Sequence, residues 1–193
     1  VLDVAEVSWI EPNVISFNSA ISACEKCRQW EFAAVILGTM TEIRASPDII
    51  SHNAVISACE KCARWLLALT ILDTMIESRI TPDVISYNAV ISACEKGGQW
   101  QLALTMLSSM IRLQSTPDVI SYSACISACE KGGQWQLALA LLGTMTELHV
   151  TPDVITCSAA ISACEKGHQW QVALDILDAM TDVRVMPNTV SYN

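Results

Sequence analysis

The chain has 193 residues, 52% of them hydrophobic, only 16% charged and six of them tryptophan, a balance that excludes intrinsic disorder and suffices to bury a sizeable core. Its formal net charge of -9 counts against a generally basic surface of the kind that holds polyanions without specificity. No apolar run approaches the roughly 18 residues of a membrane-spanning helix, and no basic, apolar, small-residue cassette marks a signal peptide.

Prolines stand at Pro12, Pro47, Pro82, Pro117, Pro152 and Pro187, each 35 residues after the last. The run Ile-Ser-Ala-Cys-Glu-Lys recurs at 21–26, 56–61, 91–96, 126–131 and 161–166, each time followed by a tryptophan: Trp30, Trp65, Trp100, Trp135 and Trp170. A strict period of this length means one supersecondary unit copied in tandem, in which no copy buries its apolar face alone and neighbours stack into a continuous core. In chain order, residues 1–13 read as the end of a preceding unit. Five complete units follow at 14–48, 49–83, 84–118, 119–153 and 154–188, and residues 189–193 open a further one, so the chain reads as a fragment of a longer array.

The first two complete units each carry a Cys-x-x-Cys pair, Cys24 with Cys27 and Cys59 with Cys62, at the spacing a zinc knuckle uses. The repeat argues for packing instead. Cys24, Cys59, Cys94, Cys129 and Cys164 are equivalent positions on an apolar helical face, and the second cysteine becomes Gly97, Gly132 and Gly167 in later units. Free cysteine behaves as a small buried hydrophobe, and an odd total of nine fits a reducing compartment better than a disulfide scaffold.

The third unit, 84–118, shows the plan most clearly. Asp83 is placed to cap a first helix over about Ile85 to Lys96, with Pro82 ending the helix before it. Gly97 and Gly98 break the chain, and a second helix runs from about Gln99 to Arg112 with Trp100, Ala103, Leu104, Leu107 and Met110 on one face. Small residues Ala89, Ala93 and Cys94 let a neighbouring helix approach closely. The fold class is therefore all-α, a solenoid of stacked helix-turn-helix repeats with first helices lining a groove.

Catalysis finds no support in these residues. His52, His149 and His168 occupy three unrelated places in the repeat, with His168 in a turn glycine's position; no phosphate-binding loop or nucleophile elbow is present; and carboxylates recur at 35-residue intervals instead of in pairs. No metal, cofactor, small-molecule substrate or membrane partner is expected.

The 35-residue two-helix unit, with Val-Ile-Ser-Tyr-Asn at its start, Cys-Glu-Lys-Gly-Gly at its turn and Thr-Pro-Asp at its end, resembles the pentatricopeptide repeat in its P-type form, over the whole chain. The tetratricopeptide repeat is the nearest rival, but its period is 34 residues and its signature is absent. The resemblance implies a right-handed superhelix that binds single-stranded RNA, one base per repeat. It implies a readout pair made of a residue early in the first helix and the residue after the closing proline: Asn18 with Asp48, Asn53 with Asp83, Asn88 with Asp118, Ser123 with Asp153, and Ser158 with Asn188.

An ionised Asp only accepts hydrogen bonds and so suits uracil and guanine, which carry an imino N–H, whereas an Asn amide also donates and suits adenine and cytosine. The longer Asn in the first helix favours a pyrimidine and Ser leaves room for a purine, as the family's pairing rules also imply, which gives 5′-U-U-U-G-A-3′. The resemblance further assigns Ile15, Ile50, Ile85, Ile120, Ile155 and Val190 to sandwiching bases, and Lys26, Lys61, Lys96, Lys131 and Lys166 to phosphate contact. It implies a mitochondrion or chloroplast, work in RNA processing, stability or translation, and, in some members, a nuclease or editing domain or protein partners reached through flanking regions.

Each assignment has a plain counterpart. The Asp residues serve equally as helix N-caps, the isoleucines as core, and the lysines as compensation for the helix dipole. The competing function is a protein-interaction scaffold whose concave face holds an extended basic peptide.

Overall fold

The computed structural model describes residues 13–182, which form α1 (Val14–Lys26), α2 (Trp30–Glu42), α3 (Ile49–Lys61), α4 (Trp65–Glu77), α5 (Val84–Lys96), α6 (Trp100–Arg112), α7 (Val119–Lys131), α8 (Trp135–Glu147), α9 (Val154–Lys166) and α10 (Trp170–Asp182). Odd-numbered helices begin at a side-chain cap. Asp83, for example, has an extended backbone and accepts the Ser86 N–H at 2.9 Å, while Ser86 Oγ accepts the Asp83 N–H at 3.2 Å. This reciprocal pair satisfies amide donors that the first turn leaves without partners.

Among the described residues, first and second helices end on a left-handed residue. After α5, Gly98 takes a left-handed φ of 68°, its N–H meets the Glu95 carbonyl at 3.1 Å, and the Gln99 N–H reaches back to the Cys94 carbonyl at 2.9 Å. This is a Schellman closure, which returns hydrogen bonds to the last helical carbonyls. Arg28, Ala63 and His168 take the same left-handed turn at the equivalent position with φ of 53° to 56°. The second helices α4, α6 and α8 close in this way too: Arg79 has φ of 58° and the Ile80 N–H bonds the Met75 carbonyl at 2.8 Å. Pro82 therefore does not end α4, which has already stopped at Glu77. The proline lies in the link to the Asp83 cap, where its lack of an N–H costs no helical bond.

The first glycine of the turn has a different purpose. A Cβ on Gly97 would stand 2.3 Å from Cδ1 of Trp65, and Gly132 and Gly167 face Trp100 and Trp135 in the same way. Each tryptophan thus lies against the turn of the following hairpin, which only glycine lets it approach so closely. Cys62 fills this position in the second unit, and the facing Trp30 is covered by the Arg64 guanidinium, 4.6 Å from the ring centroid.

Each of α3, α5 and α7 packs against the first helices before and after it, against its own partner, and against the second helix of the preceding hairpin. That crowding explains the small residues: Ala93 and Cys94 are fully buried together with Val90 and Ile91. Second helices contribute a narrower stripe, Ala103, Leu107 and Met110 in α6, and have no comparable contact with one another among the described residues. A continuous layer of first helices with second helices spread outside it curves the stack so that the first helices line its concave side.

Cys59, Cys94, Cys129 and Cys164 are buried in this layer. Desolvation pushes the Cys59 thiol up to about 12 and those of Cys94 and Cys129 to about 11, so they stay protonated and inert. Among the described residues no group of three His, Cys, Asp or Glu side chains is placed to hold a metal ion, and no helix is long and apolar enough to cross a membrane.

Candidate nucleic-acid interface

Asn18, Asn53 and Asn88 lie one turn into α1, α3 and α5, on the face that looks toward the next hairpin's cap. Their amides donate to the carboxylates of Asp48, Asp83 and Asp118 at 3.2, 3.1 and 3.0 Å respectively. Residues 30 positions apart are thereby paired side chain to side chain. The same carboxylates cap α3, α5 and α7, so pairing and capping are carried by one group, and the two readings of these aspartates do not compete.

Burial opposes the charge on Asp48, Asp83 and Asp118, but hydrogen bonds from the following serine and the preceding asparagine outweigh it and hold all three below the ordinary carboxylate range. They are ionised, acceptor-only groups at neutral pH.

A hydroxyl completes each set. Ser51, Ser86 and Ser121 are fully buried, and their Oγ atoms lie 2.6, 2.6 and 2.5 Å from the Oδ1 atoms of Asn18, Asn53 and Asn88. Sequence reasoning missed them. The available signal was Asp-x-x-Ser at each junction, a capping-box spacing with serine in place of the usual Glu or Gln.

The fourth unit differs. No hydrogen bond joins Ser123 to Asp153 among the described residues, and that carboxylate accepts instead from the Thr156 N–H at 2.8 Å and its Oγ1 at 2.6 Å. The shorter Ser in place of Asn leaves the cap intact. Ser158 is buried in α9; Asn188, assigned as its partner, lies outside the described residues, as does Val190.

Ile15, Ile50, Ile85, Ile120 and Ile155 are 58 to 74% exposed, a row of large apolar side chains on the concave layer that does not enter the core. Between the first two units an open hollow of about 590 Å³ is lined by Ile15, Asn18, Ser22, Lys26, Asp48 and Ile50, so one cavity gathers all three residue classes singled out in the sequence.

The lysines have a partner that neither sequence reading foresaw. Lys61, Lys96, Lys131 and Lys166 reach back to Glu25, Glu60, Glu95 and Glu130 of the preceding unit at 2.8, 2.5, 2.5 and 2.5 Å. The glutamates are the more buried partners, and the lysine side chains remain more than a third exposed. This ladder of ion pairs cancels charge along the groove. Lys26 has no such pair among the described residues.

Models of the PPR repeat family match residues 47–96, 82–131 and 117–166, and one of the pentatricopeptide repeat domain matches residues 1–61. No curated protein matches the chain. Among solved structures, the pentatricopeptide repeat protein PPR10 in complex with an 18-nt psaJ RNA element is similar at 20% identity with a TM-score of 0.80, over 98% of this chain and 28% of that one. PPR10 from maize is similar at 23% identity and a TM-score of 0.73, over 95% of this chain and 26% of that one. The PPR domain of Arabidopsis thaliana protein-only RNase P 1 in complex with tRNA is similar at 14% identity and a TM-score of 0.78, over 90% of this chain and 92% of that domain. The chain thus spans little more than a quarter of PPR10. At these identities the likeness is one of fold.

Proposed function

This chain belongs to the pentatricopeptide repeat family, and we propose from that premise that it binds single-stranded RNA in its concave groove, one base per repeat, with the preference 5′-U-U-U-G-A-3′. The observation that carries this reading is the hollow between α1 and α3, where two exposed isoleucines flank a hydrogen-bonded Asn18–Asp48 pair with Lys26 nearby. Apolar walls exclude water from a base's faces. A polar floor meets its edge, and a cation lies within reach of its phosphate.

The donor inventory favours uracil at the three Asn–Asp units. Within the protein Asp48 Oδ2 receives only a long 3.5 Å approach from the Asn18 amide and so keeps acceptor capacity, and Asn18 keeps one amide N–H. Uracil presents an imino N–H beside a carbonyl and satisfies both. Cytosine has a ring-nitrogen acceptor where the imino N–H would be, which leaves two acceptors opposed. Ser123 with Asp153 suits guanine, which also carries an imino N–H and needs the room that Ser provides. Ser158 with Asn188 completes the series with adenine.

On the family resemblance we assign the chain to organellar RNA processing, stability or translation, in a mitochondrion or chloroplast. The repeats themselves act by binding, and any chemistry belongs to a domain or partner recruited alongside them. The test is equilibrium binding to an oligonucleotide with UUUGA in an unstructured neutral context, beside single-position variants and a set of basic peptides. Preference for the pentamer supports the assignment; equal and weak association with every oligonucleotide, or tighter binding to the peptides, contradicts it.

A further inference from the structure

We propose that the buried hydroxyls of Ser51, Ser86 and Ser121 are positioning residues for base readout, orienting the amide of the asparagine in the preceding repeat. The inference rests on the RNA-binding reading above and deepens it. A base touching Asn53 and Asp83 does not touch Ser86, which is fully buried beneath them. Ser86 acts through the asparagine.

An asparagine amide is nearly symmetric in shape, and its two ends differ only in polarity. Which end faces a base decides whether the base meets a donor or an acceptor. Two neighbours of opposite character set that choice for Asn53. The Asp83 carboxylate, an acceptor, lies 3.1 Å from Nδ2, and Ser86 Oγ lies 2.6 Å from Oδ1. Ser86 has one proton, and its hydroxyl also lies 2.9 Å from Asp83 Oδ1 and accepts the Asp83 N–H at 3.2 Å. The shorter approach is to the asparagine oxygen. Rotating the amide by half a turn would set its oxygen against the carboxylate and take away the nearer of the hydroxyl's two acceptors, leaving it only Asp83 Oδ1.

The same three-residue arrangement occurs at Asn18–Asp48–Ser51 and Asn88–Asp118–Ser121. Where Asn gives way to Ser123, the corresponding hydroxyl, that of Thr156, turns wholly to Asp153 at 2.6 Å. The hydroxyl's second bond therefore follows the asparagine, as a positioning role requires.

The test is Ser86→Ala, with Ser86→Thr as the conservative variant, since Thr156 already occupies this place in α9. Binding is measured with RNAs carrying U or C opposite the second unit and, separately, opposite the first. The expected result for Ser86→Ala is a fall of about two- to tenfold in the U-over-C ratio at the second position, an unchanged ratio at the first, and recovery with Thr. A loss of affinity shared by all oligonucleotides, with the ratio at the second position kept, assigns Ser86 to helix capping alone and overturns the proposal. If the unsubstituted protein itself does not distinguish U from C at either position, the RNA code fails and the positioning role with it, a different and recognisable outcome. Thermal unfolding of both variants separates reduced stability from altered preference.

Discussion

Asn53 of α3 and Asp83, the cap of α5, are joined by a hydrogen bond of 3.1 Å across the junction of two repeats. The bond ties the start of one helix to the first turn of its neighbour, so the group proposed to read a base also holds consecutive units in register. Ionisation of Asp83 strengthens the hydrogen bonds on which both tasks depend.

Stability should consequently fall in acid with a definite sign. Asp48, Asp83 and Asp118 titrate below the ordinary value of about 3.9 in the folded chain, so the unfolded chain binds their protons first as pH drops. The stabilisation they provide is complete above about pH 5 and is lost as pH falls through the lowered folded values. Thermal unfolding followed from pH 7 to pH 3 should show a plateau and then a decline below about pH 4. Asp83→Asn, which still caps but cannot titrate, should make that decline shallower.

The two turn glycines should differ in their response to alanine. Gly97→Ala places a Cβ within 2.3 Å of the Trp65 ring, and a rigid indole packed between hairpins can move only by disturbing its neighbours, a cost of about 1–3 kcal/mol. Gly98 has left-handed φ but open space around it, and Ala63 already adopts that conformation in the second unit, so Gly98→Ala should cost only about 1 kcal/mol. Chemical denaturation of both variants, repeated in a Trp65→Leu background, checks this: the smaller side chain should relieve the Gly97→Ala penalty and leave that of Gly98→Ala unaltered.

Freeing the groove lysines should strengthen RNA binding. Each of Glu25, Glu60, Glu95 and Glu130 holds an ammonium group that we propose as a phosphate contact. Changing all four to Gln should raise affinity at low salt and steepen the logarithmic salt dependence by up to about 0.7 for every lysine that reaches a phosphate. Glu31, Glu42, Glu77 and Glu147 are exposed on the second helices, and neutralising those four changes net charge equally. Identical gains from both sets would show that the ion-pair ladder has no part in binding.

The solenoid was legible because its causes are local and repeated: a cap residue, an apolar stripe of helical period and a turn recur every 35 residues, and each copy repeats the evidence of the last. Helix ends were legible only in part. Schellman closures at Arg28, Arg79 and His168 use residues with no conformational signature, so proline at Pro82 seemed the natural stop although the helix ends earlier. In the groove, the Asn–Asp partners came from the family resemblance, and their bonding depends on curvature that no single unit encodes. The serine beneath them and the glutamate beside each lysine were missed for one reason. Both act across a repeat boundary, from within the stretch Ile-Ser-Ala-Cys-Glu-Lys or from the cap, where an intra-helical explanation was already sufficient.

The most direct measurement concerns Ser123, the first position at which the pair departs from Asn–Asp. Binding of Ser123→Asn to RNAs carrying each of the four bases opposite the fourth unit should shift from G toward U, as the new amide reaches the Asp153 carboxylate and fills the space a purine needs. An unchanged base profile at that position, with the fold and the other four preferences intact, would contradict readout by these pairs.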